Sequence, residues 1–246
     1  MELFADTNVG KVRKNNEDAH YVDTISEGLA LLVVADGVGG HAFGEIASQT
    51  TVEVFKNLLQ EGKLAAATDP TIREILLTMS AQKAHVEVSR MAVEDPAKNG
   101  MSCTLTVAIA DKDTITVLQI GDTRLYKLSC GELNQLTVDQ TVANDLLLSK
   151  RITPEQFTTH PDRGTLSQSI GLEGIGQPME PAVETHPWHA GDIILLCSDG
   201  LTDMTDDDAI RDSMSDEPIT VMCQNLINAA LENGGKDNVT VALAKN

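Results

Sequence analysis

Alternation of apolar and polar residues marks several stretches of the chain as β-strands. Residues 101–110 and 239–243 place apolar side chains at every second position, with serine, threonine or alanine between them. That period of two predicts strands with one buried face. More continuous apolar runs at residues 29–35, 114–120 and 192–197 predict strands that are buried on both faces. The predicted strands follow one another in runs.

Helical periodicity occupies other parts of the chain. Residues 46–58 repeat apolar or small side chains every fourth position after Gly44, and residues 219–230 carry a stripe typical of a core-facing helix. The pair Asp69-Pro70 supplies an N-cap and a first-turn proline for a long helix with apolar residues at 72, 75, 76 and 79. Residues 153–156 have the form of a capping box, which predicts a short helix there.

The order of these elements predicts the fold class. Helices do not alternate strictly with strands, so an antiparallel sandwich flanked by helices is favoured over a doubly wound parallel sheet. Between residues 136 and 172 the pattern is less sheet-like and predicts a small helical excursion. The length of 246 residues fits one or two domains.

Charge and cysteine content narrow the class of protein. The chain carries 18 Lys and Arg against 37 Asp and Glu, a net charge of −19, so we expect neither nucleic-acid nor membrane-surface binding. The longest apolar run is far shorter than the ~18 residues that span a bilayer, and the N-terminus shows no secretion signal. Four widely separated cysteines favour reduced thiols, and we expect a cytoplasmic protein.

Four aspartates stand at the ends of predicted strands, three of them beside a glycine: Asp36, Asp122, Asp199 and Asp237. Each one alone is explained by ordinary turn chemistry, because Asp-Gly and Gly-Asp are common turn dipeptides. If strand polarity brings the four together, however, their charges repel and require cations. Hard divalent ions such as Mg²⁺ or Mn²⁺ take oxygen ligands, and a carboxylate-bridged metal pair hydrolyses phosphoesters.

An arginine stands five residues before a further aspartate near the N-terminus, Arg13 before Asp18. On composition alone, Arg13 is an ordinary surface cation. Beside a metal site, however, an arginine can hold phosphate oxygens with two parallel hydrogen bonds. The segment therefore adds a candidate phosphate-binding group to the candidate metal site.

Five short motifs occur along the chain in this order: Arg13 with Asn16-Glu17-Asp18, Asp36-Gly37-Val38-Gly39-Gly40-His41, Gly121-Asp122-Thr123-Arg124, Ser198-Asp199-Gly200 and Lys236-Asp237-Asn238. In this order they resemble the metal-dependent protein serine/threonine phosphatases of the PPM (type 2C) family, above all its compact bacterial members. Each motif is weakly specific alone, whereas five in sequence over residues 13–240 are highly specific.

The resemblance implies a four-layer α-β-β-α sandwich with metal ions at one end. It implies two Mn²⁺ or Mg²⁺ ions bridged by Asp36, with the carbonyl of Gly37 and the carboxylates of Asp199 and Asp237 as further ligands. Asp18 is expected to position metal-bound water or to bind directly. Asp122 is expected to serve a third, more weakly held ion.

Two further residues receive roles from the same resemblance. Arg13 is expected to bind the substrate phosphate, and His41 is a candidate general acid for the departing seryl or threonyl oxygen. The chain departs from the family pattern in the segment that resembles the flap, where Gln168 replaces a frequent arginine. That change puts a contribution of the flap to phosphopeptide recognition in doubt.

We therefore expect a single catalytic domain over residues 1–246, in which residues 136–172 form the flap and helical excursion. Its expected partners are phosphorylated Ser/Thr proteins and a pathway with a cognate Ser/Thr kinase, and we expect a stand-alone monomer. Two alternatives keep the fold: a pseudophosphatase that only binds phosphoproteins, and a phosphatase of small phosphomonoesters. All expected metal ligands are present, which disfavours the pseudophosphatase. The sequence does not exclude the small-molecule phosphatase, because substrate choice lies in surface loops and the flap.

Two other classes fit less well. Residues 37–42 match the G-x-G-x-x-A dinucleotide fingerprint, but Asp36 would face the pyrophosphate and no acid-ended strand follows about 20 residues later. An esterase is disfavoured because the chain has no G-x-S-x-G nucleophile elbow.

Overall fold

The computed structural model describes residues 1–26, 28–38, 43–62, 64, 67, 69–171, 179–214 and 217–246. The strands are β1 (Glu2–Asn8), β2 (Asp18–Ser26), β3 (Leu29–Asp36), β4 (Leu105–Ala110), β5 (Thr114–Ile120), β6 (Arg124–Ser129), β7 (Glu132–Gln135), β8 (Ala182–Pro187), β9 (Ile193–Cys197) and β10 (Val239–Lys245). The helices are α1 (Gly44–Gln60), α2 (Pro70–Glu94), α3 (Val142–Leu148), α4 (Pro154–Thr158), α5 (Asp199–Thr202), α6 (Asp207–Ser213) and α7 (Ile219–Glu232).

These strands form two sheets. The first sheet has the order β1-β10-β9-β6-β7 and the second β2-β3-β4-β5-β8. Neighbouring strands in both sheets pair antiparallel. The predicted antiparallel sandwich is therefore confirmed. The alternative of a dinucleotide site at residues 37–42 is excluded. That site requires a parallel βαβ crossover after β3, whereas both neighbours of β3 are antiparallel to it.

The alternation of side chains along the strands divides the core into layers. In β3, Leu31 and Val33 belong to the apolar cluster on the helix side of the second sheet. Their neighbours Leu32 and Val34 belong instead to the cluster between the sheets, with Leu196 of β9. Because successive residues of a strand point to opposite faces, an apolar run of this kind is buried on both sides.

Helices cover the outer face of each sheet. Helix α1 contacts β2 and β3 and packs on α2, which reaches β5 and β8, while α7 contacts β1 and β10. The outer cluster of the first sheet joins Leu226 of α7 to Val241 of β10. The result is the expected four-layer sandwich. No helix in the described ranges combines the length and apolarity needed to cross a membrane.

One detail differs from the sequence-based expectations, and a second was not covered by them. The strand predicted over residues 101–110 begins only at Leu105, and Cys103 makes isolated bridges to Gly37 and Ile170. The neighbouring strand β3 ends at Asp36, so the continuous hydrogen-bond ladder between β3 and β4 does not extend beyond that residue. The apolar residues in the N-terminal half of α2 do not all face the core, since Met79 is 65% exposed.

The excursion between β7 and β8 contains two short helices, α3 and α4. Helix α4 begins with the predicted capping box: Thr153 Oγ1 accepts from the Gln156 amide, and Gln156 Oε1 accepts from the Thr153 amide. Helix α3 is capped in a similar way by Thr141. These caps fix the path of the segment that reaches the end of the sandwich at residues 164–169.

Candidate active site

The strand ends that carry the predicted aspartates meet at one end of the sandwich. They border a cavity of about 370 Å³ whose lining includes Arg13, Asp36, Gly37, Asp122, Asp199 and Asp237. Asp36 is the last residue of β3, Asp122 follows β5, Asp199 begins α5 after β9, and Asp237 precedes β10. Residues from both sheets therefore contribute carboxylates to a single site.

Asp18 lies beneath this site as the first residue of β2, directly opposite Asp36 on β3. Its Oδ2 atom accepts hydrogen bonds from Ser198 Oγ at 2.8 Å and from Thr240 Oγ1 at 2.6 Å. Its Oδ1 atom is buried and has no partner among the described residues. A buried carboxylate oxygen without a donor is costly unless a cation or water satisfies it.

Burial and mutual repulsion raise the pKa values of these carboxyls. Burial raises the pKa of Asp199 to about 8, with the charges of Asp122, Asp203 and Asp237 adding to the effect. The pKa of Asp36 lies well above its usual range because the group is desolvated and stands near Asp18, Asp199 and Asp122. When no cation is bound, these carboxyl groups therefore retain protons, which reduce the negative charge of the cluster.

The other two acids show the same direction. Burial raises the pKa of Asp18 to about 6, although the hydrogen bonds from Thr240 and Ser198 lower it. Burial also raises the pKa of Asp122 to about 6, with Asp139 raising and Arg124 lowering it. Perturbed groups of this kind cluster at functional sites.

These residues fit a hard divalent cation in chemistry. The donors are carboxylate oxygens with raised pKa values, and one of them, Asp18 Oδ1, is buried without a partner. In the described part of the chain, no three Asp, Glu, His or Cys side chains are already grouped as metal ligands. The fit therefore rests on donor chemistry and charge, not on a finished ligand cage.

Gly37 fills a position at the site where no side chain fits. A β-carbon there would lie 2.5 Å from the carbonyl carbon of Gly44 and 2.7 Å from the Glu17 carbonyl oxygen. The Gly37 amide donates to that same Glu17 oxygen at 3.1 Å. The end of β3 thus contacts both the start of α1 and the segment that precedes β2.

Arg13 lies on the loop between β1 and β2 and contacts the site through Asp237. Its Nη2 atom donates to Asp237 Oδ2 at 2.6 Å, and its side chain remains 41% exposed. Asp237 and Glu17 help to raise the pKa of the guanidinium, so Arg13 is charged. The loop is positioned by Asn238, whose Nδ2 donates to the carbonyls of Val9 and Asn15.

A second cavity of about 500 Å³ adjoins the first and shares its lining residues Asp122, Asp199 and Asp237. Arg124 and Asp139 stand in its wall, and the Arg124 guanidinium donates to both carboxylate oxygens of Asp139. This ion pair neutralises Asp139, so charge compensation is still needed by the acids that the two cavities share.

Comparison with known proteins assigns the family. The sequence profile described as Protein phosphatase 2C matches residues 10–238 of the chain. The chain belongs to the protein phosphatase 2C family. This membership confirms the resemblance that the five motifs indicate.

Several members of the family are similar over nearly the whole chain. "Serine/threonine protein phosphatase PstP" of Mycobacterium tuberculosis is 37% identical over 247 residues, which cover 99% of this chain and 45% of PstP. The chain thus spans less than half of that relative's length. "Protein phosphatase PhpP" of Streptococcus pneumoniae is 36% identical over 250 residues, which cover 99% of this chain and 96% of PhpP.

A solved structure of the family matches the fold as well. The crystal structure of the catalytic domain of PstP in complex with two manganese ions superposes with a TM-score of 0.84 at 33% identity. The match covers 99% of this chain and 97% of that one.

Most of the predicted site residues meet at this site. Arg13, Asp36, Gly37, Asp122, Asp199 and Asp237 line the cavity, and Asp18 contacts it from below through its pairing with Asp36. The remaining one, His41, lies outside the described residues. The structure therefore gives no position for the predicted general acid of this 2C-family chain.

Sequence reasoning missed several residues around these aspartates. Ser198 and Thr240 bind Asp18 from strands far away in the sequence, and no local pattern indicates such contacts. Asp203 follows Asp199 by four residues on a helical segment, a spacing that places two side chains on one face. This spacing could have identified Asp203 from the sequence. The contact of Asp139 with Arg124 could not be identified in this way, because it depends on the path of the chain after β7.

Proposed function

We propose that this member of the 2C family is a metal-dependent protein serine/threonine phosphatase that hydrolyses phosphoserine and phosphothreonine. The observation that supports this most strongly is the meeting of an exposed, charged arginine with a cluster of desolvated carboxylates in one cavity. Once deprotonated, these clustered carboxylates need cations, and a phosphoester needs both cations and a donor such as Arg13. The names of the relatives support the same activity.

We assign Asp36, Asp199, Asp237 and the Gly37 carbonyl to two Mn²⁺ or Mg²⁺ ions, and Asp122 to a third. The relative crystallised with two manganese ions supports this choice. When bound, the ions neutralise phosphate charge and supply a nucleophilic water of lowered pKa. Because water and not a side chain would then act as the nucleophile, we expect no phosphoenzyme.

The chain's own residues perform the remaining tasks. Arg13 reaches phosphate oxygens from its exposed loop by exchanging part of its contact with Asp237. Asp18 fixes the orientation of the strand end that carries Asp36, because Ser198 and Thr240 hold its Oδ2 atom. His41, assigned on the family resemblance, donates the proton to the leaving oxygen.

We further propose one catalytic domain over residues 1–246, with residues 136–172 as its flap. We expect it to act on phosphoproteins in a pathway with a cognate Ser/Thr kinase, as a monomer that binds neither nucleic acid nor membranes. A cytoplasmic location is supported by the four cysteines, which are all free thiols.

The test compares two substrates, p-nitrophenyl phosphate and a phosphothreonine peptide, with Mn²⁺ and with EDTA. Asp36→Asn removes the central carboxylate, and Glu132→Gln, on the exposed strand β7, is the matched control. We expect hydrolysis of both substrates that requires Mn²⁺, survives in the control and disappears in Asp36→Asn.

Other outcomes identify the alternatives. Hydrolysis of p-nitrophenyl phosphate alone would indicate a phosphatase of small phosphomonoesters. A folded, Mn²⁺-binding protein that hydrolyses neither substrate would be a pseudophosphatase.

A further inference from the structure

Three chain segments lie side by side where the second sheet reaches the cavity. Val38 donates from its amide to the Ser102 carbonyl at 3.0 Å, while Cys103 and Ile170 exchange backbone hydrogen bonds at 3.1 and 2.8 Å. The amide of Thr104 donates to the Asp36 carbonyl at 2.8 Å. Although too short to count as strands, these segments extend the sheet beyond the end of β3.

The side chains of this extension alternate between two faces. Cys103 and Ile170 belong to the apolar cluster beneath the sheet. Their neighbours Ser102, Thr104 and Ser169 line the cavity together with Asp36. Because alternate residues of extended chain share a face, these three side chains lie on the face of the extension that borders the carboxylates.

Two of these hydroxyl groups are buried and have no partner. Ser102 is 0% exposed and Ser169 is 6% exposed, and the Oγ atom of each lacks a hydrogen-bond partner among the described residues. Thr104 Oγ1, in contrast, accepts from the Asp36 amide at 3.2 Å. Buried hydroxyl groups normally find partners, so unpartnered ones that border a cavity point to a ligand in that cavity.

We propose that Ser102 and Ser169 form a hydroxyl subsite that donates hydrogen bonds to phosphate oxygens of the substrate and of the inorganic phosphate product. The inference rests on the proposed phosphatase function and adds two substrate-binding residues to it. Among the described lining residues of this cavity, Arg13 is the only cationic side chain. A phosphate group that enters an acidic cavity needs further donors, and neutral hydroxyl groups donate without repelling it.

Placement favours phosphate over a metal ion as the ligand of this subsite. Arg13 pairs with Asp237, which precedes β10 of the first sheet, whereas both serines extend the second sheet. The donors thus come from two different walls of one cavity, and each wall also carries carboxylates. A tetrahedral oxyanion presents oxygens in several directions and can be bound from both walls.

The test measures binding of inorganic phosphate by titration calorimetry at saturating Mg²⁺, for Ser102→Ala, Ser169→Ala and the double variant. We expect each single change to weaken phosphate binding by about tenfold, the scale of a hydrogen bond to a charged group, and the double variant to lose more. The KM for p-nitrophenyl phosphate should rise in parallel. Ser169→Thr keeps a hydroxyl group and should bind phosphate within about threefold of wild type.

Ser89→Ala is the matched control, because Ser89 also carries a buried hydroxyl group without a partner among the described residues. It lies on α2 and is absent from the lining of the cavity. Its phosphate affinity should equal that of wild type. Thermal unfolding shows whether each variant folds. If Ser102→Ala does not fold, the phosphate affinity of Ser169→Ala alone tests the proposal.

Unchanged phosphate affinity in the folded alanine variants would overturn the proposal. A loss of Mg²⁺ affinity with unchanged phosphate binding at saturating Mg²⁺ would also overturn it, because the serines would then serve the metal. If wild type hydrolyses no phosphoester but binds phosphate in a serine-dependent way, the subsite stands and only the proposed catalysis fails.

Discussion

Asp18 and Asp36 lie directly opposite each other where β2 pairs with β3. Like charges at opposite positions of paired strands destabilise a sheet, so this pair requires compensation. Asp18 receives two hydroxyl donors, from Ser198 and Thr240. Asp36 faces the cavity beside Asp199, where a cation can compensate both. The pairing therefore couples the stability of the sandwich to occupancy of the site.

Without metal, stability should fall as the pH rises. The pKa values of Asp18, about 6, and Asp199, about 8, exceed the ordinary value of 3.8, so the folded state retains protons that the unfolded chain releases. Their contribution is most favourable below pH ~4 and is lost as the pH rises towards ~8. We expect the Tm in EDTA to be at least ~5 °C lower at pH 8 than at pH 5, measured by differential scanning calorimetry.

Mg²⁺ should remove most of this difference, because it binds the deprotonated carboxylates. A double variant with Asp36→Asn and Asp199→Asn should show a flatter pH dependence in EDTA, since two of the shifted groups are absent. The same slope in wild type and in this variant would show that other acids cause the pH dependence.

Thr240→Val should weaken metal binding in a pH-dependent way. The change removes the 2.6 Å hydrogen bond to Asp18 Oδ2, which favours the charged carboxylate, so the pKa of Asp18 should rise further. Protons then compete better with the ion. We expect Mn²⁺ affinity to fall by about tenfold at pH 6.5 and by less at pH 8, measured by titration calorimetry.

Thr116→Val is the control for this change. Thr116 is equally buried and shares a hydrogen bond with Thr185 on β8, away from the cavity. Equal losses in the two variants would mean that Thr240 acts through general stability and not through Asp18.

The strand ends that build the site could be predicted from sequence, because each aspartate borders an apolar run whose length is visible locally. Asp36 ends β3 and Asp199 follows β9 as the pattern indicates. The antiparallel pairing was also predictable, since strand runs without intervening helices leave few other arrangements.

The contacts that position these carboxylates could not be predicted in the same way. Asp18 and Thr240 are 222 residues apart, so their hydrogen bond exists only once both sheets have packed. The strand predicted over residues 101–110 is reduced to isolated bridges before Leu105 because its partner β3 ends first, which a local pattern cannot indicate. Met79 of α2 shows a third limit, since periodicity identifies the helix but not which side is covered.

Asn238→Ala should destabilise the fold and loosen the Arg13 loop. The side chain is buried, donates to the carbonyls of Val9 and Asn15, and accepts from the Glu17 amide. Loss of three such bonds costs about 2–4 kcal/mol in the free energy of unfolding, measured in urea. The KM for p-nitrophenyl phosphate should rise more than kcat falls, because Arg13 is no longer held near the site.

The control is Asn134→Ala on β7, an exposed position where we expect a change within about 0.5 kcal/mol. If Asn238→Ala is destabilised while KM stays at the wild-type value, Arg13 does not depend on this anchor.

Gly37→Ala should disrupt the metal site through backbone displacement. The new β-carbon would lie 2.5 Å from the Gly44 carbonyl carbon and 2.6 Å from its oxygen, and neither atom belongs to a flexible side chain. The end of β3 and the start of α1 must therefore separate, which carries Asp36 away from its partners. We expect the free energy of unfolding to fall by about 1–3 kcal/mol and kcat/KM to fall at least tenfold.

Gly164→Ala controls for the unfolding measurement, because a β-carbon at Gly164 meets no atom within 4 Å. Mg²⁺ should raise the Tm of wild type and Gly164→Ala but should have little effect on Gly37→Ala. A Gly37→Ala protein with normal Mg²⁺ stabilisation would show that the strand end tolerates displacement, and that the close contact with Gly44 does not determine the geometry of the site.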